Sequence, residues 1–204
     1  MLLYNAPDPA PNPRRVRLFL AEKGLDIPMR DLAIVKREHK APEFLEKNAA
    51  GQLPALELDD GSAIAESIAI CRYLEALHPE PSLFGTTPEE IGRIDMWLRR
   101  AENMLMIPVG MVWVHTHPFT AGLGHQFTDF GETNKTRAAK AMHWFDGQLE
   151  DREYLAGPGY SMADIVLLTT IDFALWIGLE LPEDADHLRG WHDRVSARES
   201  VKRA

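Results

Sequence analysis

The chain has 204 residues, of which 45% are apolar, enough to bury one large core or two modest ones. Its formal net charge of −9 argues against the electrostatic attraction to phosphate backbones or anionic lipid on which nucleic-acid and membrane-surface binders rely. Cys71 is the only cysteine, which excludes an internal disulfide framework, a CxxC redox pair and a thiolate zinc site, so any thiol chemistry must use a sulfur from outside the chain.

The opening MLLYNAPDP has no basic n-region and is broken by prolines, and no apolar run reaches spanning length, so a cytoplasmic protein is expected. Leu2–Asn5 reads as a strand that stops at a proline-rich loop. Val16, Phe19 and Leu20 then fall at helical spacing up to Gly24, with Asn12 as N-cap and Pro13 in the first helical position. Ile27–Leu32 reads as a second strand, Ala41–Asn48 as a short helix, LPALEL and SAIA around DDG as a hairpin, and Ser67–Leu77 as a helix. This βαβαββα order predicts one mixed α/β domain over residues 1–78. Residues 79–86, with Pro79, Pro81 and Gly85, have the composition of a linker. From residue 87 the pattern is all helical: Thr87, Pro88 and Glu90 form a capping box ahead of a long helix, Met142, Phe145 and Leu149 mark another, Ser161 with Asp164 caps a third, and Leu188, Trp191 and Val195 mark a last one. Loops are expected around Phe119–Glu132, and the second domain, 87–204, reads as a helical bundle.

Three places in the first domain are suited to hold a ligand. Asn12 reads locally either as a plain cap or as a cap whose NH2 group donates outward to an anion; the helix dipole, Arg14 and Arg15 would then favour a thiolate over a thiol of ordinary pKa about 8.5. In Gln52-Leu53-Pro54-Ala55 the proline stands at a strand entrance, where it is either an ordinary trans edge proline or a cis one that turns the Leu53 main chain toward an extended peptide. Glu66-Ser67, between a strand and a helix, is either a plain cap or a site for a ligand carrying both an ammonium and a carboxylate.

Taken together, PNPRRVRLFLAEKG, EHKAPEFLEKNAAGQLPALELDDGSAIAESIAICRYL and GPGYSMADIVL resemble the soluble glutathione transferase superfamily, over nearly the whole chain and most clearly over residues 1–78. The resemblance implies a thioredoxin-like domain followed by an all-helical one, glutathione as co-substrate, a small hydrophobic or disulfide second substrate, and a homodimer. It implies that Gln52 and Leu53 contact the glutathione main chain, that Pro54 is cis, that Glu66 and Ser67 hold the γ-glutamyl end, and that His39 and Lys40 hold the glycine carboxylate. Ser161 and Asp164 look like the family's capping box, with a role in folding.

The departure is Ala10, which stands where many classes carry the serine or cysteine that activates the thiol. APDPAPNPRRV is closer to the bacterial nu-like members, whose asparagine beside the sulfur is matched by Asn12; Tyr4 is the second candidate, since other classes use a tyrosine at the end of the first strand. The expected activity is glutathione transfer to a small electrophile, with glutathione-dependent disulfide reduction or a non-catalytic binding module as alternatives. No metal is expected from His115, His117 and His125, because residues two apart on a helix do not face each other. Met104, Met106, Met111, Trp113 and Phe119 are read either as core or as the lining of a hydrophobic co-substrate pocket, and Cys71 as a buried hydrophobe.

Overall fold

The run LLYN forms β1 (Leu2–Asn5), whose alternation sends Leu3 and Asn5 to one face of a sheet and Leu2 and Tyr4 to the other. In this computed structural model, which describes residues 1–203, β1 lies parallel to β2 (Met29–Asp31) and antiparallel to β3 (Ala55–Glu57). β4 (Ala63–Ala65) completes the sheet in the order β2-β1-β3-β4. Two helices, α1 (Pro11–Lys23) and α3 (Ser67–Leu77), contact each other, and Val16 and Phe19 of the first and Ile70 and Leu74 of the second are buried. On the other face a short helix, α2 (Pro42–Leu45), supplies Phe44 to a small core with Tyr4, Leu32 and Ala55. The βαβαββα order and the thioredoxin-like fold expected from the sequence are therefore the ones observed.

Two elements are shorter than the sequence pattern suggests. The strand expected over Ile27–Leu32 is regular only at Met29–Asp31, all exposed, because it is an edge strand entered through Pro28, which has no N–H to give. The helix expected over Ala41–Asn48 is confined to Pro42–Leu45 and follows tight 3-10 turns at Ile34–Lys36 and Glu38–Lys40.

The remaining chain is helical. Thr87 and Glu90 exchange the two hydrogen bonds of the expected capping box, which starts α4 (Pro88–Arg100). A π-helical turn, Ala101–Met106, leads without a break into α5 (Ile107–Thr116); Pro108 cannot donate to the carbonyl a turn before it, which is where a helix relaxes into such a bulge. Then come α6 (Thr128–Leu149), which begins inside the expected loop, α7 (Met162–Trp176), α8 (Asp186–Ser196) and α9 (Glu199–Arg203). The chain forms two compact units, Met1–Ser82 joined by α9, and Leu83–Arg198. The sequence gives no apolar stripe in ESVKR; α9 nevertheless packs on α1, where Ser200 Oγ donates to the Glu22 carboxylate. Among the described residues no helix is long and apolar enough to cross a membrane.

Candidate functional site

The strand register brings two of the predicted segments, Leu53-Pro54 and Glu66-Ser67, to one end of the sheet. Ala55 pairs with Tyr4 on one side and with Ala65 on the other, so the segment leaving β1 at Ala6, the Leu53-Pro54 entrance to β3 and the Glu66-Ser67 exit from β4 converge there. The Leu53–Pro54 bond is cis, as are Asp8–Pro9 and Glu80–Pro81. Among the described residues, the N–H and C=O of Leu53 have no main-chain partner. Glu66 is exposed and holds φ at +69°, a conformation that costs a side-chain-bearing residue about 1–3 kcal/mol, and such outliers concentrate at ligand sites. Behind it the buried Ser67 opens α3 with first-turn N–H groups that face no carbonyl of their own helix.

At α1 the structure corrects the expected start. The N-cap is Ala10, in extended geometry and without a side-chain cap, so Pro11 is the first helical residue and Asn12 and Pro13 complete the first turn. Both prolines are tolerated there because first-turn N–H groups have no helical acceptor anyway. Their presence has a chemical consequence. Pro11 and Pro13 have no N–H, and the Arg14 N–H already donates to the Ala10 carbonyl at 3.2 Å, so Asn12 alone supplies the first turn's free main-chain donor. Its half-buried side-chain amide also makes no hydrogen bond among the described residues, so both of its donor groups are available at the positive end of the helix dipole. The arginines expected beside it are placed differently: Arg15 is buried close to Cys71, and Arg14 Nε lies 3.9 Å from Asp8.

Tyr4 is not part of this cluster. Its hydroxyl donates to Glu57 Oε2 at 2.8 Å, at the far end of β3, and Lys47 Nζ donates to the other oxygen at 2.6 Å. The hydrogen bond to Glu57, aided by burial, raises the tyrosine pKa above its ordinary value. His39 and Lys40 sit in the turn before α2, beside the loop that leads to Gln52. Lys40 Nζ donates to the Ala50 carbonyl at 3.1 Å, and the imidazole is held below its usual pKa by burial and by the charges of Lys40 and Arg37. His39 is therefore neutral at pH 7, with a buried Nδ1 that lacks a hydrogen-bond partner, and Lys40 carries the positive charge of the pair.

The residues that hold this loop were not singled out from the sequence. The buried Asn48 donates to the Gln52 carbonyl at 2.8 Å and accepts from the Ala50 N–H at 3.2 Å. Gly51 has φ +57°, and a Cβ there would lie 2.8 Å from Lys40 Nζ, so glycine lets the lysine lie against the loop. The turn signal in AAGQLP was readable; the contact with Lys40 was not.

Comparison with known proteins gives this arrangement a family. The family description "Glutathione S-transferase, N-terminal domain" matches residues 10–77, and "Glutathione S-transferase, C-terminal domain" matches residues 115–199. Glutathione S-transferase 2 of Saccharomyces cerevisiae is 42% identical over 210 residues, covering 100% of this chain and 88% of that protein. The chain belongs to the glutathione S-transferase family. The crystal structure of Gtt2 from Saccharomyces cerevisiae superimposes on this transferase with a TM-score of 0.92 at 42% identity, covering 99% of each chain. A glutathione S-transferase domain-containing protein of Marinobacter aquaeolei does so with a TM-score of 0.92 at 37% identity, over 98% of this chain and 100% of that one. Human glutathione S-transferase theta-2 is 29% identical over 90% of this chain and 76% of its own length.

In the helical unit of this transferase the residues read either as core or as pocket lining are divided between the two. Met104 borders a recess of about 490 Å³ with Ile107, Asn134, Arg137 and Trp144. Trp113 instead joins an aromatic cluster, stacking on Phe119 at 5.5 Å and lying 5.3 Å from Trp176. His115 and His117 accept from the Phe127 and Phe119 N–H groups, and among the described residues no group of three or more His, Cys, Asp or Glu side chains is placed to hold a metal. Cys71 is fully buried, and burial pushes its thiol far up, so it is inert as a nucleophile at neutral pH.

Proposed function

We propose that this glutathione transferase binds glutathione at the converging end of the sheet and adds its thiolate to a small electrophile, with Asn12 holding the sulfur. The peptide main chain of glutathione pairs with the open N–H and C=O of Leu53, next to Gln52. The γ-glutamyl carboxylate lies at the N-terminus of α3 beside Ser67, with its ammonium against the Glu66 carboxylate. The glycine carboxylate is met by Lys40 as the charge and by His39 as a neutral hydrogen-bond donor. At the thiol, the Asn12 N–H and side-chain amide and the dipole of α1 favour the anion, so the proton leaves to solvent and the sulfur lone pair forms the new bond to carbon, while that carbon's π bond opens or its leaving group, chloride in a nitroaryl chloride, departs with the bonding pair. Tyr4 has no part in this step, because its O–H is already donated to a carboxylate.

The observation that carries the proposal is the isolation of the Asn12 donors between two prolines, which compensates for the hydroxyl that Ala10 lacks. Replacing Asn12 with Ala is expected to lower the rate of glutathione conjugation to a nitroaryl chloride at pH 6.5 by about tenfold, the equivalent of about 1.4 kcal/mol, with the glutathione KM changed little. An unchanged rate would remove the Asn12 side-chain amide from the chemistry and leave only its main-chain N–H, which alanine retains. A cytoplasmic homodimer fits the same reading: the acidic surface gives no attraction to anionic membranes, and members of the family usually dimerise through both domains.

A further inference from the structure

The sequence presents Arg17 as one more cation in PRRVR, yet its guanidinium does not face solvent. From α1 it reaches back to the segment that leaves β1. Nη1 donates to Asn5 Oδ1 at 3.0 Å and to the Ala6 carbonyl at 2.8 Å, while Nη2 pairs with Asp8. Asn5 is fixed in turn, since its Nδ2 donates to Asp31 Oδ1 at 2.6 Å, across the parallel register of β1 and β2. Arg14 Nε approaches the same Asp8 carboxylate from the next turn of the helix. Burial lowers the Arg17 pKa and Asp8 opposes that effect, so the group stays charged at any working pH.

This clasp ends where the thiol subsite begins. Downstream of Asp8 the chain has few anchors of its own: Ala10 has no capping side chain, the adjoining prolines have no N–H, and the turn is closed by a 3.3 Å bond from the Ala10 N–H to the Pro7 carbonyl. The Asn12 donors therefore sit where the clasped segment and α1 together put them. A planar guanidinium can bind a side-chain amide, a main-chain carbonyl and a carboxylate in diverging directions, which a lysine ammonium at the same place cannot reproduce in fixed geometry.

We propose that Arg17 is a positioning residue for the thiol: by clasping Asn5, Ala6 and Asp8 it fixes the Asn12 donors against the glutathione sulfur. The proposal rests on the assignment of Asn12 to the sulfur. Its test combines ultraviolet titration of the bound glutathione thiol, steady-state conjugation kinetics and calorimetric binding of S-methylglutathione, which has no ionisable thiol, for the wild type and for Arg17→Met, Arg17→Lys and Asp8→Asn. In Arg17→Met the bound-thiol pKa is expected to rise by about one unit and kcat at pH 6.5 to fall about tenfold, while S-methylglutathione affinity changes less than twofold. Arg17→Lys should recover only part of that loss, and Asp8→Asn should shift the thiol in the same direction by less. Should Arg17→Met fail to fold, the lysine and asparagine variants decide. A shifted thiol in the wild type with the same value in all variants would overturn the role of Arg17 alone, as would affinity for S-methylglutathione falling in step with kcat. A wild-type thiol that titrates at its free value would overturn the site assignment itself, and the role of Arg17 with it.

Discussion

Asp164→Ala is expected to destabilise the helical unit by about 3–5 kcal/mol, read as a large drop in its calorimetric midpoint. The carboxylate is fully buried and accepts from the Leu155 N–H at 2.8 Å, the Ser161 N–H at 3.0 Å, the Ser161 hydroxyl at 2.9 Å and Trp191 Nε1–H at 3.0 Å. Burial raises its pKa, and these donors pull the other way. Because the folded state holds the proton more tightly than the unfolded chain, ionisation of this group subtracts stability as pH rises through its folded pKa; the hydrogen bonds offset that cost. Removing the acceptor leaves buried N–H groups unpaired, at about 1–3 kcal/mol each, and opens a cavity at the start of α7 and beside α8. Asp164→Asn keeps the volume and should lose roughly half as much, since one of its oxygens becomes a donor facing donors. A midpoint shift in Asp164→Ala no larger than that of a surface substitution would show that these bonds do not hold the unit together.

The second large effect lies in the first unit. Lys23 appears in the sequence as the basic last turn of α1, a position where solvated lysines are common. Its Nζ is instead 0% exposed, 2.5 Å from Glu75, and donates to the His78 carbonyl at 2.8 Å and, more weakly, to that of Pro79, 3.3 Å away. One ammonium thus neutralises a carboxylate of α3 and, through the carbonyls of His78 and Pro79, ties the chain that follows that helix to α1. Lys23→Met leaves Glu75 without this cation and should cost about 3–5 kcal/mol, whereas Lys23→Met with Glu75→Leu should cost clearly less, because the stranded charge goes with its partner. Equal losses in the single and double variants would mean that the carbonyl contacts, not the ion pair, dominate.

These residues also show where sequence reading succeeds and where it stops. The capping boxes at Thr87 and Ser161 and the limits of α3 were legible because they depend on residues close in sequence, with spacings set by helix geometry. That the Leu53-Pro54 entrance to β3 and the Glu66-Ser67 exit from β4 lie at one end of the sheet was legible only through the family resemblance, since strand register is a long-range property. The start of α1 was misplaced by two residues because Pro11 and Pro13 both satisfy the first-turn preference, and periodicity cannot choose between them. The partners of Lys23, Arg17 and Tyr4 were not legible at all: a charged or phenolic side chain carries no local mark of which distant group it will meet, and each of these meets one fixed by tertiary packing.

With the donors of Asn12 at the start of α1 holding the sulfur, bound glutathione should ionise without a serine, cysteine or tyrosine of this chain. Ultraviolet difference titration of glutathione bound to the purified protein between pH 5 and 9 tests it most directly, because the thiolate absorbs where the thiol does not. The bound-thiol pKa is expected at least one unit below the free value of about 8.5. Saturable binding with the thiol titrating at its free value would contradict it and identify a glutathione-binding module without thiol activation.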